Sequence, residues 1–134
     1  MDREVRIYPS PLEIPPGPSS AFPVDIPVGS SIEFSGCVRP TENGQSIEGI
    51  EYECFTPMAL HQFGLILDEI ENRWNDQVQR VWIHHASGFV SASHPSVWAR
   101  VDSAHRAAGF QAIQFLLTAM KAKVPIWKKV HFSP

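Results

Sequence analysis

The sequence predicts an α+β domain built on a mainly antiparallel sheet with two main helices. Three observations carry that expectation. Residues 31–38 and 47–55 alternate apolar with polar side chains, the period of a half-buried strand. Residues 56–74 and 103–123 place apolar side chains every three or four positions, the period of an amphipathic helix. Three further strand-like runs, 78–85, 96–101 and 128–132, complete the order β-β-α-β-β-α-β. With 134 residues, the chain is expected to form one such domain.

Taken in order, residues 1–30 read as a proline-rich N-terminal arm preceding a domain over 31–134. Seven prolines between Pro9 and Pro27 rule out a helix there and remove donors a sheet would need. The first strand, 31–38, stops at Arg39-Pro40, and Glu42-Asn43-Gly44 supplies a turn. In 47–55, Ile50, Tyr52 and Cys54 share one face, and Glu51 and Glu53 the other. Thr56-Pro57 opens the first helix, with Thr56 as the expected cap and Ala59, Phe63, Ile66, Ile70 and Trp74 as its apolar stripe. After the strand at 78–85, Gly88–Pro95 reads as a turn-rich excursion. The strand at 96–101 leads to a second helix capped by Asp102 or Ser103, with Phe110, Ile113, Leu117 and Met120 as its buried seam. That helix must stop before Pro125, because a proline pushes the residue before it out of the helical region.

Composition excludes several classes. The longest apolar run, Ala107–Met120, has fourteen residues and contains Gln111 and Gln114, short of the ~18–20 a membrane span requires. Met1-Asp2-Arg3-Glu4-Val5-Arg6 carries no apolar signal core, so a cytoplasmic location is expected. Cys37 and Cys54 are too few for a disulfide scaffold and read as two buried thiols. The histidines at 61, 84, 85, 94 and 131 lack metal-ligand spacing, and His84-His85 is a strand pair pointing to opposite faces.

The net charge of −3 hides an asymmetry. Residues 1–102 hold all fourteen acids against six arginines, a balance of −8. Residues 103–134 hold no acid but Arg106, Lys121, Lys123, Lys128 and Lys129, a balance of +5. Like charges gathered beside the apolar Pro125-Ile126-Trp127 favour an anion site over a floppy tail. The overall negative charge and the lack of interleaved aromatic platforms argue against nucleic acid.

Three places could carry chemistry. Ser103-Ala104-His105-Arg106 starts a helix, where free N–H groups and the dipole favour an anion and arginine adds a planar fork. Lys121 and Lys128 flank a forced helix end, so Lys128 can fold back toward Lys121. Ammonium groups held close disfavour each other's charge, which makes an amine available as acid, base or nucleophile. Arg39 closes a strand after a glycine and is equally readable as an ordinary surface arginine.

These residues together resemble the molybdopterin synthase catalytic (large) subunit family. The resemblance rests on Gly36-Cys37-Val38-Arg39, Ile50-Glu51-Tyr52-Glu53, Pro57-Met58-Ala59-Leu60, Arg73-Trp74 and Ile83-His84. It continues through Ser103-Ala104-His105-Arg106 and Lys121-Ala122-Lys123-Val124-Pro125-Ile126-Trp127-Lys128-Lys129, over roughly residues 31–129. It implies an α/β-hammerhead type fold and a homodimer whose subunits each bind a small ubiquitin-like sulfur carrier, a heterotetramer in all. The carrier's C-terminal thiocarboxylate would enter a basic pocket, and sulfur would pass to cyclic pyranopterin monophosphate (precursor Z) to form the molybdopterin dithiolene. By resemblance Lys121 and Lys128 are the catalytic lysines. Arg39, His105 and Arg106 form the substrate-phosphate cradle, with His105 and Arg106 reaching across the dimer, and Phe34 lines the pocket. No resident cofactor or metal and no membrane is implied.

The chain also departs from the family. Val130 stands where Glu usually follows Trp-Lys-Lys, which removes a carboxylate from beside the lysines. His84-His85 replaces His-Arg, residues 86–95 are about two residues longer than usual, and the sequence given stops at Pro134, short of the usual C-terminal tail. The alternative is a non-catalytic paralogue that docks a ubiquitin-like carrier or an anionic ligand.

Overall fold

A computed structural model describes residues 1–9, 12 and 27–134. Its elements run β1 (Asp2–Tyr8), β2 (Ser30–Cys37), β3 (Thr41–Glu42), β4 (Gln45–Cys54), α1 (Thr56–Arg73), β5 (Val78–Ala86), β6 (Gly88–Ser91), β7 (Pro95–Ser103), α2 (Arg106–Lys123) and β8 (Ile126–Phe132). One sheet has the strand order β1-β5-β7-β2; in the other, β4 pairs with β3, β6 and β8. Among the described residues, every strand pairing is antiparallel except β1 with β5. The α+β class, the two helices and the mainly antiparallel pairing therefore stand as the patterning indicated.

Each sheet buries one face. The inner face of the first sheet, with Val81, Ile83, Ala99 and Val101, packs on α1 and α2 through Phe63, Leu67, Ile70, Ala112 and Leu116. These side chains are nearly inaccessible, and each large one contributes roughly 1.5–3 kcal/mol of transfer free energy. A second cluster gathers Val38, Ile47, Ile50, Tyr52, Val90 and Trp98 between the sheets.

Three strands escaped the sequence reading: β1, β6 and the two-residue β3. β1 is an edge strand whose charged residues outnumber the apolar Val5 and Ile7 that pack on the core, and ion pairs add to its hold: Asp2 to Arg80 at 2.8 Å, and Arg3 to Asp68 and Glu71 at 2.8 and 2.6 Å. It lies inside the expected 1–30 arm, most of whose prolines lie outside the described residues. β6 lies inside the expected turn-rich excursion, between Gly88 (φ 89°) and Ser93 (φ 68°), and pairs with β4. The turn at Asn43-Gly44 is tight, both residues having positive φ (50° and 80°), as a two-residue β3–β4 hairpin requires.

Both helix caps differ from expectation. Phe55, not Thr56, is the N-cap of α1, and no side chain caps that helix. His105, not Asp102 or Ser103, is the N-cap of α2. β7 runs on through Ser103 because Gly29 N–H donates to Ser103 O at 2.9 Å, and the Ser103 hydroxyl donates to His105 O at 2.7 Å. The α2 seam is rotated too: Phe110 is 57% exposed, and the buried line runs Ala108, Ala112, Ile113, Leu116, Met120. The two cysteines are free, but Cys54 at the end of β4 is half-buried, and Cys37 is exposed because β2 is an edge strand with a bulge at Gly36/Cys37.

Candidate functional site

The helix end at Pro125 builds the site. α2 closes with Val124 N–H donating to Met120 O at 3.0 Å, and Val124 itself is extended. Pro125 follows, and β8 starts at Ile126, antiparallel to β4. This reversal brings Lys128 back alongside Lys121, as the flanking positions suggested. Both lysines line a cavity of about 550 Å³ between the sheets and the C-terminal half of α2. Arg39 and Phe34 line it as well, Phe34 being 39% exposed. Three cations thus face one cavity whose described walls offer one carboxylate, that of Glu42. Val130 is on the wall, two residues from Lys128 on the same strand face, where the resemblance calls for a carboxylate. Met120 serves both the core and the cavity wall.

A second hollow of about 330 Å³ shares Lys121, Lys128, Tyr52 and Ser96 with the first and adds His85, Val124 and Ile126. Lys128 stands opposite Tyr52 in the β4–β8 register, its Nζ 6.0 Å from the ring centre. The Tyr52 hydroxyl donates to Ser96 Oγ at 3.1 Å, and Ser96 donates on to Gly36 O at 3.4 Å. Burial pushes the Tyr52 phenol up. His85, 5% exposed, meets the Tyr52 ring edge-on with centroids 5.2 Å apart. Its Nδ1 donates to Ala86 O at 2.6 Å. Burial lowers its pKa; the bond to Ala86 opposes that shift and the Lys128 charge adds to it.

Sequence reasoning missed Tyr52, His85 and Ser96 as site residues. Tyr52 and His85 lie on inward strand faces and look like core. A legible signal did exist on α2, where Gln114, Thr118 and Lys121 repeat at helical spacing as a polar stripe, and all three line the cavity. His84, by contrast, faces the other side of the sheet, bonded to Glu4 at 2.7 Å and packed on Trp98 and Tyr8.

His105 and Arg106 are not brought to this cavity within one chain. They are exposed at the opposite end of α2, about 22 Å from Lys121 along the helix axis. The corner that carries them is firmly held: Ala104 N–H donates to Gln77 O at 2.9 Å, and a Cβ on Gly29 would meet Ala104 O at 2.2 Å. Just before it, the fully buried Asp102 accepts from Arg100 at 2.9 Å and Arg80 at 3.3 Å. Among the described residues no cluster of His, Cys, Asp or Glu could hold a metal ion, and no helix is long and apolar enough to cross a membrane.

Comparison with known proteins locates this arrangement. The MoaE protein family matches residues 19–123. A human relative, named molybdopterin synthase catalytic subunit, is 38% identical over 96 residues, which is 72% of this chain and 50% of that one. A Nostoc relative of the same name is 35% identical over 105 residues, 78% of this chain and 63% of that one. The chain thus spans about half the length of the human relative it matches. Among solved structures, molybdopterin synthase from Staphylococcus aureus superposes with a TM-score of 0.77 at 25% identity, covering 96% of both chains. A complex of subunits 1 and 2 of molybdopterin-converting factor from Helicobacter pylori gives 0.72 at 16% identity, covering 96% of this chain and 89% of that one, a likeness of fold.

Proposed function

This chain belongs to the MoaE protein family, and we propose that it is the catalytic subunit of a molybdopterin synthase. In this reading it takes sulfur from the C-terminal thiocarboxylate of a small ubiquitin-like carrier and delivers it to cyclic pyranopterin monophosphate, forming the dithiolene of molybdopterin. The observation that carries the proposal is the convergence of Lys121, Lys128 and Arg39 on one cavity with a single carboxylate on its described walls. Both reactants are anions, and cations in a partly dehydrated cleft hold an anion far more strongly than they would in water.

The roles follow from placement. Lys121, on the last turn of α2, is the acid/base and electrophile-stabilising group at the sulfur transfer. Lys128, stationed over Tyr52, holds the thiocarboxylate or its carbonyl oxygen as charge builds there. Arg39, at the mouth between β2 and β3, receives the substrate phosphate with its planar fork. Phe34 walls the same side. His105 and Arg106 complete the cradle from a second copy of the chain, since the length of α2 keeps a chain's own pair away from its own lysines. The functional unit is then a homodimer carrying two carriers, located in the cytoplasm, and its domain includes β1, which joins the first sheet beside β5 rather than standing apart as an arm.

Reconstitution tests this reading. The purified chain, thiocarboxylated carrier and precursor Z should yield molybdopterin, detected as its fluorescent oxidised derivative. Lys121→Ala should reduce turnover by about 10²–10⁴, the range for a positioned acid/base group, without changing the circular dichroism spectrum. Carrier binding without product in the unmodified protein would replace the proposal with a docking paralogue, with Val130 as the first residue to restore to Glu.

A further inference from the structure

The hollow beneath the two lysines contains an unusual charge arrangement. Lys121 and Lys128 both line it, and none of its lining residues is acidic. Two ammonium groups need acceptors there, and the lining side chains that offer one are Tyr52, Ser96 and His85. The Tyr52 hydroxyl and Ser96 Oγ already bond to each other, and Ser96 donates onward to Gly36 O. His85 is different. Its Nδ1 carries the proton, because that nitrogen lies 2.6 Å from a carbonyl oxygen, which can only accept. Its Nε2 is therefore a lone-pair acceptor on a side chain that lines the same hollow as both lysines. The Tyr52 ring joins the two groups, with His85 edge-on at 5.2 Å and Lys128 Nζ at 6.0 Å from its centre.

We propose that His85 is a positioning residue for Lys128: its neutral imidazole accepts from the lysine ammonium through Nε2 and holds it in the cavity, and protonation of His85 expels it. The inference rests on Lys128 being a working group of the proposed sulfur transfer. One proton moves, from solvent to Nε2, and no bond to substrate is involved. With that proton in place Nε2 becomes a donor, and a third positive charge enters a hollow that holds two. The titratable groups around His85 are Tyr52 from β4, Lys121 from α2 and Lys128 from β8. β7 turns Val97 and Ser96 toward it, and β1 sets Ile7 beside it in register. The direction of the His85 shift, downward with Lys128 as one cause, agrees with this arrangement.

Histidine-labelled full-length protein, with no substrate present, tests the contact by NMR. The expected result is an Nδ1–H tautomer that is neutral at pH 7, with a titration midpoint below the ordinary histidine range that rises in Lys128→Met. Lys128 is exposed, so that variant keeps the core intact. An Nε2–H tautomer, or a midpoint that Lys128→Met leaves unmoved, overturns the proposal. The second arm is the pH profile of turnover. It should fall about tenfold per unit below the His85 midpoint, as for a single essential ionisation, and His85→Gln, which keeps an acceptor but cannot be protonated, should sustain turnover and lose that acid limb. A wild-type acid limb in His85→Gln also overturns it. Failure of the whole reconstitution would count against the proposed function, while the NMR arm would still decide the His85–Lys128 contact.

Discussion

Lys128 and Tyr52 face each other across the β4–β8 ladder, with the lysine Nζ 6.0 Å from the tyrosine ring centre and the tyrosine hydroxyl tied to Ser96 at 3.1 Å. The aromatic face steadies a cation that would otherwise sample many rotamers in water, an effect of about 0.5–1 kcal/mol at exposed sites. The hydroxyl fixes the ring, so that two strands and a bond to a third set where one ammonium points.

Replacing Tyr52 separates these effects. Tyr52→Phe keeps the ring and leaves Ser96 without its donor. It should cost about 1 kcal/mol of stability, read as a lower urea midpoint with unchanged slope. Tyr52→Leu also removes the ring and should lower turnover further than Tyr52→Phe at equal folded fraction. Equal turnover in the two variants would remove the ring from the account.

Arg106 offers a test of assembly. Arg106→Ala and Lys121→Ala should each be nearly inactive alone. Mixed and re-equilibrated, they should recover roughly a quarter of wild-type turnover, because half the dimers are then hybrid and each hybrid has one intact site. No recovery, with subunit exchange shown by mass spectrometry, would place both residues in a site within one chain. It would then require α2 to be read differently.

Asp102 sits fully buried between Arg80 and Arg100 at the end of β7, immediately before the corner that carries His105 and Arg106. Asp102 is the carboxylate these two arginines share at the buried end of the strand, and its loss leaves their charges less compensated there. Asp102→Ala should therefore destabilise the fold by about 3–5 kcal/mol, seen as a large drop in Tm. A change below 1 kcal/mol would show that the two arginines find solvent or other partners.

The pH dependence of stability has a definite sign at His85. Its pKa in the fold lies below the ordinary histidine value of 6.5, chiefly through burial. The unfolded chain then binds the proton more readily, so the contribution of neutral His85 to stability is fully present above that ordinary value. It is lost as pH falls from there toward the lower folded midpoint. Denaturation midpoints followed across this window should decline in wild type and decline less in His85→Gln. Parallel curves for the two would assign the decline to other groups.

Most of the framework is legible in residue spacing alone. Period-2 and helical patterning located β2, β4, β5, β7, both helices and β8, because turning apolar residues to one side of an element is written into residue spacing. The lysine cluster and Pro125 announced a basic helix end for the same local reason. What only the tertiary structure decided lies where spacing carries no signal. β1 offers only Val5 and Ile7 at period two among charged residues, too short a run to read, and its parallel place beside β5 is set by the sheet. The α2 cap moved because Ser103 pairs with Gly29 at the end of β7 and gives its hydroxyl to His105 O, and α1 starts without any side-chain cap. Tyr52 and His85 look like core until β8 is folded over them, and the same 18-residue helix that brings Lys121 to the cavity carries Arg106 to its far end. A cavity assembled from strands, a helix and a hairpin far apart in the chain is a property of their packing, and no single segment contains it.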